Sequence, residues 1–75
     1  MITDIFDQMG RNWGSEIVAR TEIRKFTGGM ISSKYMANLD SQKSGPDRVK
    51  IGRKTGYPIS GENGLVNWLR ARSGN

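Results

Sequence analysis

The sequence predicts a small α+β domain, and three observations predict it. Two helix-prone stretches flank Gly28-Gly29 between Thr21 and Gln42. Arg48-Val49-Lys50-Ile51 alternates polar with apolar side chains and is followed by a glycine-bracketed basic loop and the short Tyr57-Pro58-Ile59 run, the pattern of a β-hairpin. Leu65, Trp68 and Leu69 then recur at i, i+3 and i+4, the stripe of an amphipathic helix. The order is a two-helix helix-turn-helix, a β-hairpin and a C-terminal helix. All belong to one domain, since 75 residues leave no room for a second core.

Composition narrows the chemistry. Hydrophobic residues make up 35% of the chain, enough for a modest core; a domain of this size buries only roughly 60% of its unfolded surface. There is no Cys, which removes disulfides and zinc-thiolate sites. There is no His, which removes the commonest general base and metal ligand. Ser32 and Ser33 therefore have no base to activate them, and the expectation is a protein that is not an enzyme and holds no metal and no cofactor. The longest apolar run, Ile17-Val18-Ala19, is far too short to span a bilayer. The first residues lack the basic and apolar regions of a secretory leader, so a cytoplasmic location without membrane contact is expected. Twelve Lys+Arg against 7 Asp+Glu give a formal net charge of +5. Over residues 1–16 Asp4, Asp7 and Glu16 outnumber Arg11, so the whole excess of cations lies in the body that follows. A basic body suits a polyanionic partner, of which nucleic acid is the commonest.

Each element has its own signal. Ile2, Ile5, Phe6, Met9 and Trp13 form a helical stripe over residues 1–14, with Asp4, Asp7 and Gln8 on the other side. Gly10 and Gly14 weaken it, so residues 1–15 form an N-terminal extension with a short amphipathic helix that packs on the domain. Ile17-Val18-Ala19 is a short strand opening the domain proper, residues 16–72. Thr21 caps a brief helix through Phe26, with Glu22 in its first turn. Gly28-Gly29 ends that helix by taking positive φ. Ser32 or Ser33 is the N-cap of a second helix running to about Gln42. Ser44-Gly45-Pro46-Asp47 is turn chemistry. Arg48-Val49-Lys50-Ile51 is a half-buried strand, Gly52 to Gly56 a basic loop, and Tyr57-Pro58-Ile59 the return strand. That strand lies at an edge, because Pro58 has no N–H to donate. Ser60 caps the last helix, with Glu62 in its first turn and Arg70 and Arg72 at its C-terminal end. Ser73-Gly74-Asn75 is a frayed tail. The predicted core is Leu39, Ile51, Leu65, Trp68 and Leu69, and Trp13 is also read as core rather than as a base-stacking platform.

Two constellations point to duplex DNA. At 100° per residue, Tyr35, Met36 and Leu39 fall on the core side of the second helix. Ser33, Lys34, Ala37, Asn38 and Ser41 fall on its open side, with Asp40 at the edge of that face. An ordinary solvated face mixes acids and bases, whereas this one is small, polar and basic. Small residues allow close approach to a groove floor, Asn pairs with adenine, and Lys reaches guanine or phosphate. The second constellation is the hairpin: Arg53 and Lys54 at its tip, with Arg48 and Lys50 on the same strand face, gather four cations that can meet a phosphate backbone. Following a helix-turn-helix, such a hairpin has the character of a wing.

The stretches Thr21-Glu22-Ile23-Arg24, Gly28 to Ser41, Gly45-Pro46, Val49 to Lys54, Tyr57-Pro58 and Leu65 to Leu69 together resemble the excisionase-type, MerR-like winged helix-turn-helix family. That family includes excisionases of phages and integrative elements and AlpA-like prophage regulators. The resemblance covers roughly residues 16 to 72, and its most specific part is the spacing Ile-Gly-Arg-Lys, Tyr-Pro and Trp-Leu. It implies a recognition helix that begins near Ser32 and a wing that carries Arg53 and Lys54. It also implies a role in DNA recombination beside an integrase or recombinase, or in transcription regulation of a mobile genetic element. The long coiled coil and effector domain of full MerR regulators have no counterpart in these residues, so a metal- or drug-sensing dimer is not implied.

The expected function is therefore sequence-specific double-stranded DNA binding by an excisionase, a recombination directionality factor. A small transcriptional regulator is the alternative that shares the same surface. The rival from another class is a protein-interaction module that docks through the N-terminal apolar stripe. An RNA-binding module is weaker, because the aromatic residues read as buried. The expected state is a monomer in solution, with cooperative assembly on DNA left open.

Overall fold

Buried side chains from every helix but the first meet in one core. Val18, Ile23, Phe26, Met36, Leu39, Tyr57, Leu65, Val66, Trp68 and Leu69 are all less than a tenth exposed. The structure, a computed structural model, describes residues 4–73. It is a small α+β arrangement of four helices and a three-stranded antiparallel sheet. Ile2, Gly74 and Asn75, parts of the predicted stripe and tail, lie outside the described residues.

Helix α1 (Ile5–Asn12) is shorter than its stripe suggested, and Trp13 already has extended backbone. Asp4 is its N-cap, accepting from the Asp7 N–H at 2.9 Å. Phe6, Met9 and Trp13 pack against the core, and the Trp13 Nε1–H donates to the Ile17 carbonyl at 3.1 Å. Gly10, a weak point by propensity, is where α1 comes close to the body. A Cβ there would sit 3.0 Å from Ile59 Cγ2 and 3.3 Å from Val66 Cγ2.

An ion-paired clamp holds α1 to α4 (Leu65–Arg72). Arg70 Nε donates to Asp4 at 2.7 Å and Arg70 Nη2 to Asp7 at 2.6 Å. These bonds raise the Arg70 guanidinium above its ordinary range. Arg70 and the Asp7 N–H together lower the Asp4 carboxyl from 3.8 to about 2. A depressed carboxylate pKa contributes stability above the unfolded-chain value and loses it as pH falls through the folded one. The melting temperature of the protein is therefore expected to drop between about pH 4 and pH 2 more steeply than that of Asp4→Asn, which keeps the cap and loses the charge. Parallel curves for the two proteins would show that the exposed clamp adds nothing.

Strand β1 (Ile17–Ala19) leads into a 3₁₀ turn, Arg20–Glu22, and the short helix α2 (Ile23–Phe26). Thr21 lies inside the 3₁₀ turn and caps nothing. Gly28 and Gly29 end α2 as expected, at φ +66° and +89°. The Gly29 N–H reaches back to the Arg24 carbonyl at 2.7 Å and the Gly28 N–H to Lys25 at 3.2 Å, the paired bonds of a Schellman motif. Helix α3 (Ser33–Ser41) starts at Ser32, whose Oγ accepts from the Tyr35 N–H at 3.1 Å. It ends in the same motif, but with Lys43 rather than glycine at positive φ (+60°).

The sheet order is β1-β3-β2, with β2 at Val49–Ile51 and β3 at Lys54–Pro58. Four expectations are corrected here. The loop is not Gly52 to Gly56 but the two-residue turn Gly52-Arg53, with positive φ (+61°) at Gly52 alone as in a II′ turn. Gly56 is buried inside β3. Its Cα approaches β1 so closely that a Cβ would lie 2.9 Å from Ile17 Cδ1. β3 is the central strand, and Pro58 meets an edge only locally. The Ile59 N–H bonds toward β1, at Glu16, so the Pro58 nitrogen faces the β2 side, where pairing ends at Gly56. Finally, β2 is not half-buried. Cross-strand pairs put Lys50, Thr55, Tyr57 and Val18 on the helix-covered face, and Val49 and Ile51 on the outer one. Ile51 is 71% exposed and is no part of the core.

The last helix is capped by Gly64, not by Ser60, and Glu62 belongs to the preceding loop. Its stripe is as predicted, with Val66 added. The Trp68 Nε1–H donates to the Ser44 carbonyl at 3.1 Å, which ties α4 to the end of α3. Ser73 is bonded through its N–H and Oγ to the last turn.

Candidate nucleic-acid interface

The candidate surface starts from a rotation of α3 relative to its predicted setting. Met36, Leu39 and Asp40 are buried, while Tyr35, expected in the core, is 43% exposed. The buried arc is thus centred on Met36 and extends toward Asp40, Ser33 and Ala37. Ser33 and Ala37 are half-buried, and the Ser33 Oγ donates to the Arg20 carbonyl at 2.8 Å. Ser32, also half-buried, is occupied as the cap. The exposed arc is Lys34, Asn38, Ser41 and Tyr35. It still carries no carboxylate.

Asp40 explains the rotation. It stands one turn from Met36 on the apolar side and is only 6% exposed. Its Oδ2 accepts from Arg20 Nη2 at 2.5 Å and from the Tyr57 hydroxyl at 2.6 Å, and Arg20 Nε also donates to the Tyr57 oxygen at 3.0 Å. A buried carboxylate is tolerated where a cation and hydrogen bonds meet it. The bond to the Tyr57 oxygen, followed by that to Asp40, raises the Arg20 pKa. Burial, followed by the bond to Asp40, pushes the Tyr57 phenol above its usual value. Both groups therefore keep their protons throughout the neutral range, and the three side chains tie the 3₁₀ turn, α3 and β3 together.

The hairpin is fixed to the same carboxylate. Arg48 Nη1 lies 3.7 Å from Asp40 Oδ1, a buried atom that accepts no hydrogen bond. Gly45 packs on that atom so closely that a Cβ would come within 2.6 Å. Arg48 is thus a bridge from the hairpin base to α3 and only half available to a ligand. Lys50, Arg53 and Lys54 are exposed. The expected convergence of four cations on one face does not occur. Lys50 is on the α3 side, Lys54 pairs with Ile51 on the opposite face, and Arg53 occupies the tip. Cations on both faces and at the tip make a basic finger rather than a basic plane.

Among the described residues, the ion pairs are those of Arg20 and Arg48 with Asp40 and of Arg70 with Asp4 and Asp7. Lys34, Lys50, Arg53 and Lys54 are in none of them. Comparison with protein-family models, curated proteins and solved structures gives no match to this chain. No cluster of His, Cys, Asp or Glu that can hold a metal is present among the described residues, and no described helix is long and apolar enough to cross a membrane.

Sequence patterning gives Arg20 and Tyr57 no part in the site, Tyr57 entering only through the return strand, and sets Asp40 at the margin of the open face. The one local signal was the i, i+4 spacing of Met36 and Asp40, which sets the carboxylate on the apolar stripe.

Proposed function

We propose that this protein is a winged helix-turn-helix factor that binds duplex DNA, with α3 as the recognition helix and the β2–β3 hairpin as the wing. Its role in this reading is that of an excisionase assisting a recombinase of a phage or integrative element. A regulator of such an element would use the same surface. The observation that carries the reading is the pairing of a carboxylate-free exposed arc on α3, bearing Lys34 and Asn38, with a basic hairpin anchored to that helix through Arg48 and Asp40. The Schellman turn at Gly28-Gly29 and the Ser32 cap, which set α3 against α2, support it further.

If roughly four phosphates are met by Lys34, Lys50, Arg53 and Lys54, log K should fall with log[salt] at a slope of about −4. Fluorescence anisotropy on a labelled duplex across a salt series measures this. Absence of binding at low salt to any duplex overturns the reading. Within the surface, the wing should grip the backbone and the helix should read bases. Lys54→Ala should weaken specific and random duplexes alike and flatten the slope by about 1. Asn38→Ala should narrow the gap between them by about 1–3 kcal/mol. The reverse pattern in a paired competition assay would exchange the two roles. Bending of the bound duplex, read by energy transfer between its ends, separates an architectural recombination factor from a simple repressor.

A further inference from the structure

An open apolar trough runs along the face of α1 that carries Ile5 and Met9. One stretch, of about 420 Å³, is lined by Ile5, Phe6, Met9, Met30, Leu69 and Arg72, among others. The second, of about 410 Å³, shares Ile5, Met9 and Thr27 with the first and continues to Trp13, Phe26 and Lys25. Ile5 at 60% and Met30 at 84% exposure stand in the first stretch. Large apolar side chains gathered on one concave surface mark an interaction site, whereas scattered ones do not.

The rim carries one sign of charge. Lys25 lines the second stretch and Arg72 the first, and among the described residues no carboxylate lines either. Arg72 is already held in place. Its guanidinium carbon lies 4.7 Å from the Trp68 ring centroid, and Nη2 donates to the Tyr35 hydroxyl at 3.4 Å. Among the described residues no carboxylate pairs with it, in contrast to Arg70 two positions earlier. An acidic group arriving from outside meets a cation whose ordering entropy is largely spent.

The shape and charge select the occupant. An apolar floor does not suit a phosphate backbone. A second copy brings the same cationic rim and the same net charge of +5, so self-docking sets like charges together. The flanking helices have their backbone groups bonded internally and offer no row of N–H and C=O for an added strand. A helix satisfies its own backbone and presents side chains alone. We infer that the trough receives an amphipathic helix of a partner protein, with its apolar stripe against Ile5, Met9 and Met30 and its acidic flanks beside Lys25 and Arg72. This surface uses none of Lys34, Asn38, Arg53 or Lys54, and the inference stands apart from the DNA reading.

Two labelled synthetic helices test it on the full chain: a leucine stripe flanked by glutamates, and the same stripe flanked by lysines. Anisotropy should show the glutamate peptide binding at least about tenfold more tightly, a difference of about 1.4 kcal/mol. Amide shifts should centre on Ile5, Met9 and Met30. The variant Ile5→Ser/Met30→Ser, altered only at exposed positions, should melt like the parent and lose at least about tenfold in peptide affinity, with duplex binding unchanged. Arg72→Gln should narrow the preference between the peptides. Equal affinity for both peptides, shifts gathered around Val49 and Ile51 instead, or full binding by the double variant overturns the proposal. So does a dimer in sedimentation equilibrium that Ile5→Ser/Met30→Ser dissolves, since the occupant would then be a second copy.

Discussion

Trp68→Ala is expected to cost about 3–5 kcal/mol, the range for emptying a buried aromatic site. A chain of 75 residues has a total stability of roughly 4–11 kcal/mol, so the variant loses from about a quarter to all of it. Trp68 stands in the middle of α4 at 7% exposure, between Leu65 and Leu69. Its loss empties the largest single volume on that stripe. It also leaves the Ser44 carbonyl without the indole N–H that joins α4 to the end of α3, and it removes the ring under Arg72. Trp68→Phe should separate these effects, keeping most of the volume and losing the hydrogen bond at a cost of about 1–2 kcal/mol. Urea denaturation followed through the remaining Trp13 gives both numbers. A Trp68→Ala protein with the parent's midpoint would mean that α4 is held by something other than this ring.

The elements legible in the sequence are those whose signal is local. Gly28-Gly29 had to be a helix stop because only glycine takes positive φ cheaply, and Ser32 had to be a cap because its hydroxyl can serve the exposed N–H groups of the first turn. The Leu65, Trp68 and Leu69 stripe is local in the same sense. What was not legible depends on partners distant in the chain. Alternation showed that Val49 and Ile51 share a face, but not which face the helices would cover. That depends on Tyr57 and Val18, which the register places behind Lys50 and Thr55. Tyr35 and Asp40 exchanged roles for a related reason. A carboxylate is expected outside, and only Arg20, 20 residues away, and Tyr57, 17 residues away, make its burial acceptable. Ser60 and Thr21 are good caps by type, yet the helices begin elsewhere, at Gly64 and Glu22. Of the candidate surface, the sequence placed Lys34 and Asn38 on the exposed side of α3 and Arg53 at the hairpin tip. It could not see that Arg48 reaches Asp40 or that Lys50 and Lys54 lie on opposite faces.

Asp40→Ala is expected to destabilise the protein by about 2–4 kcal/mol and, on the proposed function, to weaken specific DNA binding in molecules that remain folded. Breaking a buried ion pair by removing one partner costs about 3–5 kcal/mol when both groups are sealed from water. Arg20 retains 29% exposure and regains part of its hydration, which lowers the figure. The Tyr57 hydroxyl does not: Tyr57 is fully buried and would keep only the bond it accepts from Arg20. Tyr57→Phe alone removes both bonds of the hydroxyl, the one it donates to Asp40 and the one it accepts from Arg20, and should cost about 1–3 kcal/mol. If the two side chains act as one unit, the double variant will cost less than the sum of the singles, with a coupling of about 0.5–3 kcal/mol. The functional effect follows from Arg48. With its counter-charge gone, the contact between the hairpin base and α3 is lost, and on the proposed reading the hairpin and α3 then hold their relation less firmly. Backbone contacts tolerate that loss, whereas simultaneous base contacts do not. Affinity for a cognate duplex should therefore fall further than affinity for a scrambled one, in a buffer where circular dichroism shows the variant folded. Additive costs with Tyr57→Phe, or equal losses on both duplexes, would show that Asp40 does not couple the core to the proposed DNA surface.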